Sequence, residues 1–201
     1  LMPRFYDAGK GSVLIDGRDV RDYKLKQLRD RIGYVPQRTV LFSGTIRDNM
    51  LWGNPGATDE DIWQALKTAQ AEEFVSKLPE GLDTPVNQGG KNFSGGQRQR
   101  LTIARALVRR PEIVIMDDSA SALDFATDLK LRTAIRHDLT DTTAFIVSQR
   151  ATSVRHADLI IVLDGGVPVG MGRHDELMRT CDVYREIVHS QEDKEGQHDD
   201  K

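Results

Sequence analysis

The sequence predicts an α/β fold in which a mostly parallel sheet is flanked by helices. The first observation is a series of short apolar runs separated by segments with helical periodicity; the runs are 32–35, 112–116, 143–147 and 159–163. The second is that these runs are almost continuously hydrophobic, which is typical of parallel strands covered on both faces. A chain of 201 residues with 38% hydrophobic residues is long enough to bury such a core.

Apolar spacing and capping residues predict the helices. Thr58 is the expected N-cap of a helix that runs to Gln70, because Asp61 follows three residues later and apolar residues then recur at helical spacing. Ser94 is expected to cap a long helix that Pro111 closes. The other predicted elements are a strand at 12–15, helices at 24–30, 71–78, about 127–138 and near 151–156, a loop at 80–92, a second hairpin strand at 167–171, and two C-terminal helices.

Composition excludes several classes of protein. A formal net charge of −3 argues against a dedicated nucleic-acid binder, so the arginines after Gly96 are interpreted as a solvated helix face. The single cysteine, Cys181, rules out an internal disulfide, and the five histidines lack the spacing of metal ligands. No apolar run approaches the roughly 20 residues of a membrane-spanning helix.

A serine and two glycines at the start of the long helix predict an anion site, because they expose backbone N–H groups at the positive end of the helix dipole. Alone they could be a plain cap, but the motif continues as Phe93-Ser94-Gly95-Gly96-Gln97-Arg98-Gln99-Arg100-Leu101. This resembles the signature motif of ABC transporters, with Phe93 in place of the usual leucine, and the resemblance covers nearly the whole chain. It implies nucleotide binding by Phe93, Ser94, Gly95, Gly96 and Gln97.

A second motif follows the strand at 112–116. That strand delivers Asp117 to the carboxyl edge of the sheet, where a carboxylate can hold hydrated Mg²⁺ beside ATP phosphates. The resemblance makes Asp117 the Walker B aspartate, and it makes Ser121–Asp124 the D-loop, which lines the dimer interface and adds Asp124 to the nucleotide site. Tyr34–Gln37 looks like the Q-loop, in which Gln37 reaches the metal and the attacking water. The segment Leu41–Asn49 is similar to exporters with fused membrane domains, where it faces the coupling helices.

Three departures from the family pattern concern catalysis. The Walker A loop G-x-x-x-x-G-K-[ST] is absent, so we expect the chain to start after that loop and the first strands, and to be inactive and bind ATP poorly by itself. Asp118 stands where active members carry the glutamate that acts as general base. Gln149 stands where the switch segment usually has histidine, and glutamine cannot become cationic.

The resemblance also implies an assembly. Two nucleotide-binding domains sandwich two ATP molecules, and each site combines one chain's Walker motifs with the partner's signature. Because Asp118 and Gln149 both weaken the catalytic cluster, we interpret the chain as the degenerate-site subunit of a heterodimeric exporter. A transmembrane domain is expected upstream, with the chain at the cytoplasmic face of the cell membrane, ATP and Mg²⁺ as cofactors, and no nucleic-acid partner.

Two other readings remain open at this point. One is a catalytically active homodimeric exporter ATPase that tolerates Asp118, and the other is a non-transport ABC ATPase. In each case we expect residues 1–190 to form a partial nucleotide-binding domain with a helical subdomain at about 38–108. The charged residues 191–201 are expected to form a disordered polar tail.

Overall fold

The computed structural model describes residues 1–119 and 122–196. Leu1–Val147 form one compact unit, and a second unit begins at Ser148. The strands of the first unit are β1 (Leu14–Ile15), β2 (Arg18–Asp19), β3 (Ile32–Val35), β4 (Gly44–Thr45), β5 (Pro85–Val86), β6 (Ile113–Asp117) and β7 (Thr143–Val147). Its helices are α1 (Leu25–Asp30), α2 (Ile46–Gly53), α3 (Asp59–Thr68), α4 (Glu72–Ser76), α5 (Gly95–Leu107) and α6 (Phe125–Asp138).

A parallel sheet of order β3–β6–β7 organises the first unit and confirms the predicted fold class. Successive side chains of β6 point to opposite faces. Ile113 and Ile115 pack with Leu28 of α1 on one side, while Val114 and Met116 join the large cluster formed by the helices on the other. The expectation of a sheet covered on both faces holds for β3 and β6 but not for β7. Four of the five residues of β7 are exposed, so the faces of this strand are largely uncovered.

The helical part of the first unit contains an element that the sequence analysis missed. Helix α2 begins at a capping box in which Thr45 and Asp48 bond each other's backbone N–H groups. Its polar Asn49 is buried, and the amide bonds the backbone of Phe42 at 2.8 and 2.9 Å. Such a buried polar residue disguises the helical period, which is why the helix was overlooked. The predicted loop at 80–92 also needs correction, since β5 within it pairs with β4.

The second unit has a small core of its own. An antiparallel hairpin of β8 (Ile160–Asp164) and β9 (Val167–Gly172) turns at Gly165 and Gly166, both with positive φ, as the sequence predicted. The hairpin packs with α7 (Ala151–Val154), α8 (His174–Thr180) and α9 (Asp182–Gly196). The predicted start of the polar tail at residue 191 falls inside α9, and residues 197–201 lie outside the described residues. No helix in the described part of the chain has the length and hydropathy of a membrane span.

Helices α2 and α5 approach so closely at Gly53 that a side chain cannot fit. A Cβ there would overlap the carbonyl oxygen of Arg105 and lie 2.8 Å from Val108 Cγ1. We expect Gly53→Ala to force the two helices apart and to lower the free energy of unfolding by about 1–3 kcal/mol. Thermal unfolding measures this. Gly9→Ala is the matched control because its Cβ meets nothing within 4 Å, and equal losses in both variants would contradict the close approach.

Candidate functional site

Three of the predicted site residues meet at one edge of the parallel sheet. Val35, the last residue of β3, pairs with Met116, the last residue but one of β6, so the carboxyl ends of the two strands lie at the same edge. The chain then continues to Gln37 on one side and to Asp117 and Asp118 on the other. Gln37 Nε2 donates to Asp118 Oδ2 across 3.4 Å, at the long end of hydrogen-bonding distances. The sheet edge therefore gathers one amide and two carboxylates into a polar cluster.

A tyrosine on the neighbouring strand fixes Asp117. The Tyr34 hydroxyl donates to Asp117 Oδ2 at 3.2 Å. Burial first, and then the charge of Asp117, raise the pKa of Tyr34 above its ordinary value. The hydroxyl therefore stays protonated and keeps donating at neutral pH. Tyr34 belongs to the predicted Q-loop motif, in which it had no assigned role. Its position two residues before Pro36, on the strand paired with β6, is the signal that could have identified it.

The residues of this cluster fit a magnesium ion. Mg²⁺ prefers oxygen ligands and is usually held by one or two carboxylates together with waters and substrate phosphates. Asp117 supplies a carboxylate, and the Gln37 amide oxygen is an acceptor that its hydrogen bond to Asp118 does not use. Among the described residues no three His, Cys, Asp or Glu side chains cluster as a self-sufficient metal cage.

The backbone turns sharply at Asp118. This residue has φ 44°, in the left-handed region that aspartate and asparagine tolerate better than other residues with a Cβ. Its N–H donates to the Val147 carbonyl at 2.9 Å, which extends the ladder between β6 and β7 by one bond. Asp118 therefore belongs both to the end of the sheet and to the polar cluster.

The N-terminus of α5 presents the second group of predicted residues. Ser94 Oγ accepts from the Gln97 N–H at 3.2 Å, and Gln97 Oε1 accepts from the Ser94 N–H at 2.9 Å. This capping box leaves the N–H groups of Gly95 and Gly96 without intrahelical partners, as at any helix start. A Cβ on Gly95 would meet nothing within 4 Å, so the backbone there is open to an incoming anion. Ser-x-x-Gln spacing could have predicted the capping role of Gln97.

Two residues of the predicted nucleotide site have structural contacts within the chain. Phe93 is 7% exposed, and its ring lies 6.4 Å from that of Phe74 in the core, so its side chain packs rather than faces solvent. Asp124 caps α6 by accepting from the Thr127 N–H and hydroxyl, both at 2.8 Å. Ser121, which the sequence analysis placed in the same loop as Asp124, lies outside the described residues.

Gln149 belongs to the second unit. It follows β7 and precedes α7, and its side chain is exposed. Its carbonyl oxygen accepts from Gln191 Nε2 of α9 at 2.7 Å. Gln191 could not be identified from the sequence, because no local pattern links residues 42 positions apart.

The fold is that of an ABC-type nucleotide-binding domain. Residues 1–121 match the family model described as ABC transporter, and the chain belongs to the ABC transporter family. Its fold resembles a bacterial Atm1-family ABC exporter solved with ATP bound, with a TM-score of 0.90, 37% sequence identity, and coverage of 94% of this chain and 34% of that chain.

Curated relatives agree with this assignment. An uncharacterized ABC transporter ATP-binding protein of Mycobacterium tuberculosis is 47% identical over 95% of this chain and 33% of its own length. The ATP-binding/permease protein YgaD of Bacillus subtilis, whose name assigns it to multidrug export, is 43% identical over 93% of this chain and 32% of its own length. The chain thus spans about a third of the length of these relatives.

Asp124, the N-cap of α6, makes the stability of the fold depend on pH in the acid range. The backbone hydrogen bond from Thr127 is the main cause that lowers the pKa of Asp124 below its ordinary value. A carboxylate with a depressed pKa stabilises the fold above the unfolded-state pKa, near 3.9, and loses this contribution as the pH falls through the folded-state value. We expect Asp124→Asn, which caps without titrating, to lose less stability than the wild type between about pH 6 and pH 3. Urea midpoints measure the difference, and parallel acid profiles would contradict it.

Proposed function

We propose that this chain is an ATP-binding and hydrolysing cassette that powers export of a substrate across a membrane. The observation that carries the proposal is the cluster of Gln37, Asp117 and Asp118 at the carboxyl edge of the sheet, where open α/β sheets bind ligands. The similarity to exporters supports the same reading. The chain would act at the cytoplasmic face of the cell membrane, as part of a longer protein that includes a transmembrane domain.

Each residue of the cluster has a separate task in this proposal. Asp117, oriented by Tyr34, would hold Mg²⁺. The ion, when bound with ATP, would supply positive charge that offsets the charge of the phosphates. Gln37 would orient the attacking water, and Asp118 would accept its proton. The sequence has no Walker A loop, so the phosphates need that loop from elsewhere in the complete protein.

The proposal includes a division of labour between two non-identical nucleotide-binding domains. Ser94, Gly95 and Gly96 would complete a competent ATP site on the partner by donating hydrogen bonds to its phosphates. The chain's own site would hydrolyse ATP slowly. Aspartate at position 118 is one methylene shorter than glutamate, which withdraws the carboxylate by about 1.5 Å, one C–C bond. The long contact of 3.4 Å to Gln37 is in keeping with a carboxylate of short reach.

An exposed aromatic pair supports contact with a membrane domain. Phe42 and Trp52 lie with ring centroids 5.1 Å apart, and Arg105 stacks over Phe42. Trp52 is 67% exposed and borders a cavity of about 470 Å³ that Ser43 and Leu51 also line. Solvent-exposed aromatic surface of this kind is typical of a docking site. We assign it to the transmembrane domain, whose movements it would couple to ATP binding.

Restoring the catalytic residues tests the degenerate-site assignment. In the complete heterodimer, with hydrolysis at the partner's own site blocked, we expect Asp118→Glu combined with Gln149→His to speed hydrolysis about 100-fold. A misplacement of about 1 Å at a reacting group can cost that factor. Single-turnover hydrolysis of ATP is the measurement.

The matched control is Asp118→Asn combined with Gln149→His. Asparagine tolerates the left-handed backbone at position 118 but has no carboxylate, so this variant should stay slow. If the wild-type protein already hydrolyses ATP equally fast at both sites, the degenerate assignment is wrong. Turnover by the complete protein expressed without a partner would instead favour an active homodimer.

Two similar capping boxes allow the signature residue to be tested separately from stability. Ser94 caps α5 and Thr58 caps α3 in the same way, so Ser94→Ala and Thr58→Ala should each cost about 1 kcal/mol of stability. Only Ser94→Ala should lower ATP turnover of the complete transporter, by about 10-fold, since a hydrogen bond to a charged phosphate is lost. Steady-state turnover and thermal unfolding of both variants measure this. Equal turnover in the two variants would limit Ser94 to a capping role.

A further inference from the structure

The side-chain amide of Gln191 bridges the backbone of the segment that carries Gln149. Gln191 Nε2 donates to the Gln149 carbonyl at 2.7 Å, and Gln191 Oε1 accepts from the Ala151 N–H at 2.8 Å. The two bonds flank Arg150, so the amide engages this segment as a neighbouring β-strand engages an extended residue. Arg150 is extended, with φ −95° and ψ 116°. The Gln191 amide therefore uses both its oxygen and its nitrogen to fix one short stretch of backbone.

These bonds satisfy backbone groups that have no hydrogen-bond partner within the segment itself. Ala151 is the first residue of α7, whose initial N–H groups lack intrahelical partners. Arg150, the N-cap, makes no side-chain capping bond, so Gln191 supplies the missing acceptor from another helix. The Arg150 N–H donates to Ser148 Oγ at 3.0 Å. A side chain thus fixes one backbone group in each of three successive residues, Gln149, Arg150 and Ala151.

Gln191 is itself held in place by the packing of α9. Val188 and Tyr184 of this helix are buried together with Ala151 in the core of the second unit. Gln191 lies three residues after Val188, which places it on the same face of the helix, one turn further on. The amide therefore reaches the segment from a rigid, packed helix. The Gln149 side chain, by contrast, has no hydrogen-bond partner within the described residues and is exposed.

We propose that Gln191 is a positioning residue that fixes the backbone at Gln149, so that the Gln149 amide is oriented in advance toward the γ-phosphate of ATP. This inference rests on the proposed function, to which it adds that the Gln149 amide, a hydrogen-bond donor, contacts that phosphate. ADP lacks the γ-phosphate, so the preference for ATP over ADP reports on Gln149. This readout does not depend on how fast the site hydrolyses ATP.

The experiment compares four variants of the full-length transporter: Gln149→Ala, Gln191→Leu, the double variant, and Ser190→Ala as control. Leucine has about the volume of glutamine, but its side chain forms no hydrogen bonds. Among the described residues the Ser190 hydroxyl donates only to the Ile187 carbonyl of its own helix. Photolabelling of this chain with a photoreactive azido-ATP, competed by ATP or ADP, gives the ratio of the two affinities. Hydrogen exchange of the Ala151 amide reports on its hydrogen bond to Gln191, and this measurement does not require nucleotide.

We expect Gln149→Ala to lower the preference for ATP about 10-fold, the factor that one hydrogen bond to a charged group contributes. Gln191→Leu should lower it several-fold and speed exchange at Ala151, whereas Ser190→Ala should change neither. The double variant should match Gln149→Ala, since a residue that acts through another adds nothing once that residue is gone.

Other outcomes distinguish the positioning role of Gln191 from the phosphate contact of Gln149. Loss of ATP preference in Gln149→Ala but not in Gln191→Leu would overturn the positioning role and leave the proposed function intact. Additive losses in the double variant would also overturn it, because Gln191 would then act by another route. An unchanged preference in Gln149→Ala would overturn the proposed phosphate contact and the positioning role that rests on it.

Discussion

The pairing of β6 with β3 is the constraint on which the rest of the first unit depends. Side chains of β6 are buried on both faces, and a slip by one residue would exchange Val114 and Met116 with Ile113 and Ile115. The register is therefore fixed by packing on both sides. Because the strands are parallel, a fixed register also fixes which residues leave the sheet together. The polar cluster at the edge is a direct result of apolar packing inside.

Much of the fold could be predicted from the sequence, because its signals are local. The buried strands are apolar runs, and the helices that begin at Thr58 and Ser94 carry their capping residues with them. Helix α2 escaped detection because its buried Asn49 breaks the apolar pattern, although Thr45 and Asp48 had the spacing of a cap. Local sequence patterns thus predict whether a segment is a helix or a strand more reliably than they predict which of its residues are buried.

The candidate site was predictable only where it coincides with strand ends and helix starts. The apolar run before Asp117 predicted its place at the carboxyl edge of the sheet, whereas Gln37 was assigned from the resemblance to the Q-loop, and the structure brings Gln37 into contact with Asp118. Phe93 was assigned to the site by its place in a motif, and the structure shows that its side chain packs against Phe74. Gln191 depends on how α9 packs, which no sequence window contains. Long-range contacts between polar groups are thus the part that sequence reasoning could not supply.

The left-handed backbone at Asp118 has a consequence for how such a site can evolve. At this position folding favours a short side chain such as aspartate or asparagine, while proton abstraction at a distance favours the longer glutamate. The two pressures are opposed, as at many strained functional positions. If a partner's site carries the turnover, as in the proposed division of labour, only the pressure from folding remains at position 118. A change from glutamate to aspartate there would then be retained, and the two halves of such a transporter would diverge in one direction.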